Sequence, residues 1–219
     1  MDNKFISKQM KALVISGGGC KGSFAGGIAE YLIVDCCHQY DIFVGCSTGS
    51  LLLPHLALKN IDKIKNIFTN VLQEDIFNIC PFKIKKTPTG ITTKINHINT
   101  VRSFIKGCAT FGESQNLRAL INKSILQEEL DEIKTNKIKI ILAVSNLSKD
   151  VVEYIHADQC SHQDFCDWAW ASCNYIPFMS VCEKNGFQYA DGGFGGFIPI
   201  MQAIEQGATD IDVIVLELA

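Results

Sequence analysis

The chain has 219 residues, of which 47% are hydrophobic and 20% charged, a composition typical of a globular domain with one buried core and not of a disordered segment. Its formal net charge of −3 provides no overall basic field, so nucleic acid is not an expected partner. The ten cysteines lie among apolar neighbours without a paired metal-ligand spacing, which favours buried free thiols in a reducing, cytoplasmic compartment and predicts no metal site.

The first predicted unit is a strand, a glycine loop and a helix. It follows Met1–Met10, which lacks the apolar core of a secretory signal. Ala12–Ile15 predicts a buried strand, and the apolar spacing of 24–32 predicts a helix. Between them, the glycines of 16–22 allow backbone N–H groups to surround a negative charge. This loop is compatible with a structural turn, a nucleotide site or the oxyanion hole of an acyl transfer enzyme.

The second unit contains the candidate nucleophile. Ile42–Val44 predicts a strand, and a helix follows through Leu58, which Pro54 is expected to kink or shorten. The turn between them reads Gly45-Cys46-Ser47-Thr48-Gly49. A glycine on either side lets a strand turn sharply into a helix, with the serine hydroxyl exposed at the helix start. Such a pentapeptide by itself is compatible with catalysis and with a structural glycine turn.

A basic segment, residues 76–112, follows a further predicted helix at 62–72. It has no acidic residue and six basic ones: Lys83, Lys85, Lys86, Lys94, Arg102 and Lys106. Charge runs are usually solvated surface, and a solvated insertion over the sheet is the favoured interpretation. The mixture of basic and apolar residues is also compatible with contact between residues 83–106 and anionic lipid. In both cases the segment is the candidate for a lid.

The remaining pattern alternates strands and helices. Strands are predicted at 137–146, 151–155, 187–190 and 213–218, and helices at 164–173 and 199–206. No apolar run approaches the roughly 20 residues needed to cross a bilayer. The alternation predicts an α/β protein, a three-layer sandwich with a mostly parallel central sheet, in one domain that covers residues 1–219.

Two residues are candidates for the base that activates Ser47. A triad needs a histidine after its acid, and His162 satisfies this order, although its polar surroundings are typical of a helix cap. Asp191 ends a predicted strand in the turn Asp191-Gly192-Gly193, which we expect at the same sheet edge as Ser47. Because a desolvated aspartate can accept a serine proton directly, a two-residue dyad is chemically sufficient.

Three motifs in fixed order resemble the patatin-like phospholipase family: a Gly-Gly-Gly-x-Lys-Gly loop, a G-x-S-x-G turn and a late Asp-Gly-Gly. The segment Ala171-Ser172, with Pro177, is similar to the region that precedes the family's aspartate. The resemblance implies a lipid acyl hydrolase of the phospholipase A or esterase type, working through an acyl-enzyme without metal or organic cofactor. The motif residues are Gly17, Lys21, Gly22, Gly45, Gly49, Gly192 and Gly193.

The resemblance also implies a role for each site residue. Ser47 is the nucleophile, Asp191 is its base, and the backbone amides of Gly18, Gly19 and Cys20 form the oxyanion hole. The implied substrate is a phospholipid or another lipid ester. We expect a cytoplasmic protein with peripheral membrane contact through residues 83–106. The alternatives are a catalytically silent lipid-binding module and a nucleotide-binding protein that uses the Gly17–Gly22 loop, and no oligomeric state is predicted.

Overall fold

The computed structural model describes residues 9–88 and 90–216, which form a mixed α/β fold. The strands are β1 (Lys11–Ile15), β2 (Ile42–Cys46), β3 (Phe82–Thr87), β4 (Gly90–Ile95), β5 (Lys139–Asn146), β6 (Val151–His156), β7 (Cys182–Lys184), β8 (Phe187–Asp191) and β9 (Asp210–Ile214). The helices are α1 (Gly22–Glu30), α2 (Thr48–Ala57), α3 (Ile61–Asn70), α4 (Gln73–Ile76), α5 (His97–Ile105), α6 (Gln115–Ser124), α7 (Gln127–Thr135), α8 (His162–Ser172) and α9 (Ile200–Glu205).

The central sheet has seven strands and a parallel core. Strands β9, β1, β2 and β5 lie side by side in that order, and each adjacent pair is parallel. The apolar runs of β1, β2 and β5 are buried on both faces, and in β2 all five residues are buried. Strands β6 and β8 pair antiparallel with β5, and β7 pairs antiparallel with β8. The predicted α/β fold with a mostly parallel sheet is therefore confirmed.

Strand β5 brings β2 and β8 together on one edge. Along β5, Ala143 is opposite Cys46 of β2, and the next residue, Val144, is opposite Asp191 of β8. The end of β8 therefore meets the end of β2, directly before Ser47. However, β8 reaches this point as an antiparallel strand and not as a parallel strand of the expected alternation, because it forms a two-residue hairpin with β7. The Asn185-Gly186 turn, with both φ angles positive, was the sequence signal for that hairpin.

Helices cover both faces of the sheet unequally. One face carries the main hydrophobic core, to which α1, α2, α7 and α8 contribute buried side chains. The other face carries a small cluster around Val14 and Val44 that is covered by Ala203 of the short helix α9. The result is the expected layered α/β arrangement, with one thick and one thin helical layer.

The basic segment folds as a hairpin and a helix, neither of which was predicted. Strands β3 and β4 form a separate antiparallel sheet, and α5 follows directly. The ring of Phe82 packs on that of Phe178 with a centroid distance of 5.1 Å, which attaches the hairpin to the body of the protein. Neither face of this hairpin is buried, so its strands lack the run of apolar residues that marks a core-facing strand.

The effect of Pro54 and the position of the last strand differ from the expectations. Pro54 lies inside α2, which continues to Ala57, so the helix is not ended there. The predicted last strand at 213–218 is found at Asp210–Ile214, and residues 217 and 218 lie outside the described residues. Most of Met1–Met10 also lies outside them. Across residues 9–88 and 90–216, no helix is both long enough and apolar enough to cross a membrane.

Candidate active site

Ser47 stands in a strained turn between β2 and α2. Its φ of 53° and ψ of −129° place a residue with a side chain in a region that normally favours glycine. The flanking glycines are required by close packing. A Cβ on Gly49 would lie 2.5 Å from the Ile15 carbonyl oxygen, and one on Gly45 would lie 2.9 Å from backbone atoms of Gly49 and Ser50. The pentapeptide is thus a sharp strand-to-helix turn that presents the serine at the start of α2.

We predict that Gly49→Ala destabilises the protein by about 2 to 4 kcal/mol, because the new methyl group meets rigid backbone and the turn must shift. The matched control is Gly27→Ala in α1, where an added Cβ meets nothing within 4 Å. That control should gain about 0.5 to 1 kcal/mol from the helix propensity of alanine. Urea unfolding of both variants gives the two values. Equal effects would contradict the packing assigned to Gly49.

Ser47 and Asp191 form a buried hydrogen-bonded pair. The Ser47 hydroxyl donates to Asp191 Oδ2 at 2.5 Å. The other carboxylate oxygen, Oδ1, accepts from the Gly193 N–H at 2.8 Å, so the Asp-Gly-Gly turn fixes the orientation of its own side chain. Ser47 and Asp191 are only 8% and 4% exposed. The hydroxyl proton therefore already points at a base in a site largely screened from water.

Burial raises the pKa of Asp191 above its ordinary value of 3.8. The hydrogen bonds from Ser47, Gly193 and Cys46 act in the opposite direction and do not cancel the effect of burial. A carboxylate with a raised pKa holds a proton more readily than an exposed one. Asp191 is therefore better suited to accept the serine proton than a solvated aspartate would be.

Ser172, at the end of α8, holds the turn in place. Its hydroxyl accepts from the Ser47 N–H at 3.0 Å and donates to the Ala143 carbonyl at 2.7 Å, which leaves Ser50 as the donor in the 2.9 Å contact between the two hydroxyls. Ser172 therefore connects the backbone of Ser47 to β5. The sequence indicated the segment Ala171-Ser172 but not this role, because a hydroxyl that links distant elements leaves no local pattern.

The glycine loop lies against the turn that contains Ser47. A Cβ on Gly17 would come within 3.2 Å of Ser47 Cβ and 3.2 Å of the Phe197 ring. One on Gly22 would collide with Thr48, so α1 starts directly beside the start of α2. Gly19 has a φ of 54° and an added Cβ there would face open space. The structure thus brings the loop, Ser47 and Asp191 together.

Two other members of the loop face Leu216, which lies just beyond the end of β9. A Cβ on Gly18 would collide with the side chain of Leu216, so this position is packed and cannot carry a side chain. Lys21 donates from Nζ to the Leu216 carbonyl at 2.7 Å. This contact holds the lysine against the end of the sheet, while the Cys20 side chain is exposed.

The structure places His162 away from the pair. Its Nε2 lies 2.6 Å from the Ile125 carbonyl, at the start of α8, whereas Ser172 at the opposite end of that helix touches Ser47. His55, on α2, is buried with no partner for Nδ1, and burial lowers its pKa to about 4. No histidine among residues 9–88 and 90–216 makes a hydrogen bond with Ser47 or Asp191.

Two buried thiols border the pair, a feature that the sequence did not predict. Cys46 Sγ lies 3.9 Å from Asp191 Oδ1, and Cys173 Sγ donates to the Ser47 carbonyl at 3.1 Å. Burial, followed by the charge of Asp191, raises the pKa of both thiols, so they remain protonated.

All ten cysteines are free, although Cys20, Cys36 and Cys37 are exposed and not buried as expected. In the described part of the chain, no cluster of three or more His, Cys, Asp or Glu side chains could hold a metal ion.

Comparison with known proteins supports the resemblance drawn from the motifs. The family model for Patatin-like phospholipase matches residues 13–204. Among solved structures, VipD from Legionella pneumophila superposes with a TM-score of 0.61 at 15% sequence identity. The match covers 95% of this chain and 50% of the VipD chain, so the present chain spans about half the length of that protein. No curated protein matches the sequence.

Proposed function

Because the chain belongs to the patatin-like phospholipase family, as the match over residues 13–204 shows, we propose that it is a lipid acyl hydrolase with a Ser47–Asp191 dyad. The single observation that supports this proposal is the 2.5 Å hydrogen bond from the Ser47 hydroxyl to the buried Asp191 carboxylate. A nucleophile within hydrogen-bond reach of its base is the geometric requirement for covalent catalysis. The substrate class is a phospholipid or another fatty acyl ester.

In the proposed acylation step, Ser47 Oγ attacks the ester carbonyl while its proton passes to Asp191 Oδ2. The tetrahedral intermediate then expels the alcohol, which takes the proton from Asp191, and the fatty acyl group remains on Ser47. In deacylation, Asp191 accepts a proton from water, and the hydroxide attacks the acyl carbonyl. Release of the fatty acid returns the proton to Ser47, so atoms and charges balance over the cycle.

We assign the oxyanion hole to the backbone N–H groups of Gly18, Gly19 and Cys20. These residues begin the helical turn Gly19–Lys21 that leads into α1, where N–H groups lack carbonyl partners within the helix. Gly17 lies against Ser47 Cβ, which puts the following amides close to a carbonyl attacked by this serine. Donors of this kind stabilise the developing oxyanion, and each contributes about 10²- to 10³-fold in kcat in acyl transfer enzymes.

The dyad predicts a specific pH profile. Asp191 must be deprotonated to act as a base, and burial raises its pKa above 3.8. We therefore expect kcat/KM for a p-nitrophenyl ester to rise with pH through a single limb centred above 3.8 and then to level off. His162→Gln should leave this limb in place, because His162 bonds to the Ile125 carbonyl and not to the dyad. A limb that disappears in His162→Gln would identify a histidine base instead.

We further propose that the protein acts as a peripheral membrane enzyme in the cytoplasm, with residues 83–106 as its contact. The basic segment is the support for this contact, and 76–112 remains the candidate lid.

The catalytically silent lipid-binding module and the nucleotide-binding alternative both predict no hydrolysis by the purified protein. Assays on defined phospholipids, monoacylglycerols and p-nitrophenyl esters of graded chain length, set beside thermal shifts with NAD and ATP, separate the three functions.

A further inference from the structure

The outward face of α5 is apolar. Ile98, Val101 and Ile105 follow the i, i+3, i+7 spacing of one helix face, and their side chains are 72%, 56% and 80% exposed. A helix on the surface of a globular protein ordinarily turns such a face toward the core. Here three aliphatic side chains are directed away from the protein, so the face lacks a partner within the described residues.

The inward face of α5 is polar. Ser103 is fully buried and donates to the Thr110 carbonyl at 2.9 Å. Asn99 donates from Nδ2 to the Cys80 carbonyl at 2.9 Å. The helix is therefore attached to the protein by hydrogen bonds from the side that would normally face water. Rotating the helix about its axis would bury the aliphatic face but leave these two carbonyls without their donors. The polar residues of α5 therefore specify the observed orientation, in which the aliphatic face points outward.

The hairpin next to α5 has one basic face. Lys83 is directly opposite Lys94 in the register of β3 and β4, and Lys85 is on the same face. Like charges at directly opposed positions destabilise a strand pair. These three lysines line an open concavity of about 1100 Å³. A fold that keeps opposed lysines beside a concave surface is suited to an anionic ligand.

Within the part of the chain that the structure describes, no acidic side chain neutralises the charges of the basic segment. No acidic residue occurs in residues 76–112, and within the described residues none of the six cations of this segment forms an ion pair. The surface therefore combines uncompensated positive charge with exposed aliphatic side chains. An anionic bilayer offers both a charged head-group layer and an apolar layer beneath it, whereas a nucleic acid would leave the aliphatic face in water.

A row of aromatic rings links this surface to the catalytic loop. Phe82 of the hairpin packs on Phe178, Phe178 stacks on Tyr175 at 6.4 Å, and Tyr175 stacks on Phe194 at 5.2 Å. Phe194 ends the turn that begins with Gly192, immediately after Asp191. A bilayer that touches the hairpin and α5 would thus be connected through packed side chains to the loop that carries the base.

We propose that β3, β4 and the outward face of α5 form a docking surface for a bilayer that contains anionic lipid. The aliphatic side chains of α5 enter the interfacial layer, and the lysines of the hairpin contact the head groups. This inference rests on the proposed function, because the phospholipid substrate of a lipid ester hydrolase lies in a bilayer. Docking itself requires no hydrolysis, so it is tested on a protein that lacks the nucleophile.

The test is sedimentation of the Ser47→Ala protein with vesicles of phosphatidylcholine alone and of phosphatidylcholine with phosphatidylserine. We expect binding to the second kind only, and weaker binding as salt is raised. Each lysine near an anionic surface strengthens binding by about fivefold, so Lys83→Gln combined with Lys94→Gln should weaken it by about 30-fold. Ile98→Ser combined with Ile105→Ser should weaken it by at least about tenfold.

Matched controls use exposed residues away from this surface. Met201→Ser combined with Ile204→Ser removes two exposed apolar side chains from α9, and Lys123→Gln removes an exposed cation from α6. Neither should change vesicle binding. Equal binding to both kinds of vesicle, or equal losses in control and test variants, would overturn the proposal, as would binding to single-stranded nucleic acid but not to vesicles. If vesicle binding follows the expected order while the wild type hydrolyses no ester, the docking surface stands and the proposed function fails.

Discussion

Ser47→Ala is expected to lower kcat for lipid ester hydrolysis by at least about 10⁴-fold, because the acyl group then has no oxygen to bind covalently. Three features of the structure support the proposal that Ser47 is the nucleophile. It stands at φ 53° in a turn shaped by two glycines, its hydroxyl donates to Asp191, and a Cβ added to Gly17 of the glycine loop would lie 3.2 Å from its Cβ. Alanine removes the hydroxyl and keeps the rest. Steady-state assays with a p-nitrophenyl ester and a phospholipid measure the loss.

The fold should survive this change. Alanine meets the same backbone strain as serine, and the loss of one hydrogen bond costs about 1 kcal/mol. Ser124→Ala is the matched control, since that hydroxyl donates to the Ile121 carbonyl at the end of α6. It should retain wild-type kcat. Hydrolysis by Ser47→Ala at a rate near that of the wild type would exclude Ser47 as the nucleophile.

Asp191→Asn is expected to lower kcat by about 10³- to 10⁴-fold, because an amide cannot take the serine proton. The geometry can persist: the amide oxygen can accept from Gly193, and the amide nitrogen can donate to Ser47. Labelling by a fluorophosphonate probe should also be greatly slowed, because Ser47 is no longer activated. A change in KM with kcat unchanged would contradict the assignment of Asp191 as the base.

The stability of Asp191→Asn should separate catalysis from folding. The folded-state pKa of Asp191 is raised by burial, so its contribution to stability is fully present at low pH and is lost as pH rises through that pKa. At neutral pH the buried charge therefore costs stability, and the neutral amide should give an equal or higher melting temperature. A clear drop in melting temperature would show that the carboxylate is needed for folding.

Asp167→Asn provides a control of the opposite sign. Burial acts to raise the pKa of Asp167, but the hydrogen bond and charge of Arg118 outweigh it and lower the pKa. Its contribution to stability is present above the unfolded-state pKa and is lost on acidification. Asp167→Asn should thus lower the melting temperature at neutral pH and leave kcat unchanged. Asp191→Asn should instead lower kcat and leave the melting temperature equal or higher. Circular dichroism melts and ester hydrolysis provide both readouts.

The parallel core of the fold was predictable because buried parallel strands have a strong local signature. The β-branched runs that became β1, β2 and β5 are apolar without interruption, and each is followed by glycine or polar residues. The turn containing Ser47 was predictable for a related reason. Only glycine fits at positions 45 and 49, where backbone atoms would lie within 3 Å of an added Cβ. The two glycines in the sequence therefore indicate the sharp turn.

The features that sequence did not predict depend on partners distant along the chain. Ser172 acts through hydrogen bonds to Ser47 and Ala143, and nothing near Ser172 in the chain indicates them. The pairing of β8 with β5 is likewise not encoded in the periodicity of five residues, although the Asn185-Gly186 turn was a local signal for the hairpin that sets the direction of β8. The six basic residues of 76–112 favoured a solvated charge run, whereas the i, i+3, i+7 spacing of Ile98, Val101 and Ile105 was the local signal for α5.

The most direct test of the Ser47–Asp191 dyad is the mapping of a covalent adduct. Purified wild-type protein is treated with a fluorophosphonate probe, whose phosphorus bonds to the activated serine oxygen while fluoride leaves, and the digest is analysed by mass spectrometry. The dyad predicts a single adduct on Ser47, no adduct in Ser47→Ala, and greatly slowed labelling in Asp191→Asn. An adduct on another residue, or labelling of Asp191→Asn at the wild-type rate, would contradict it.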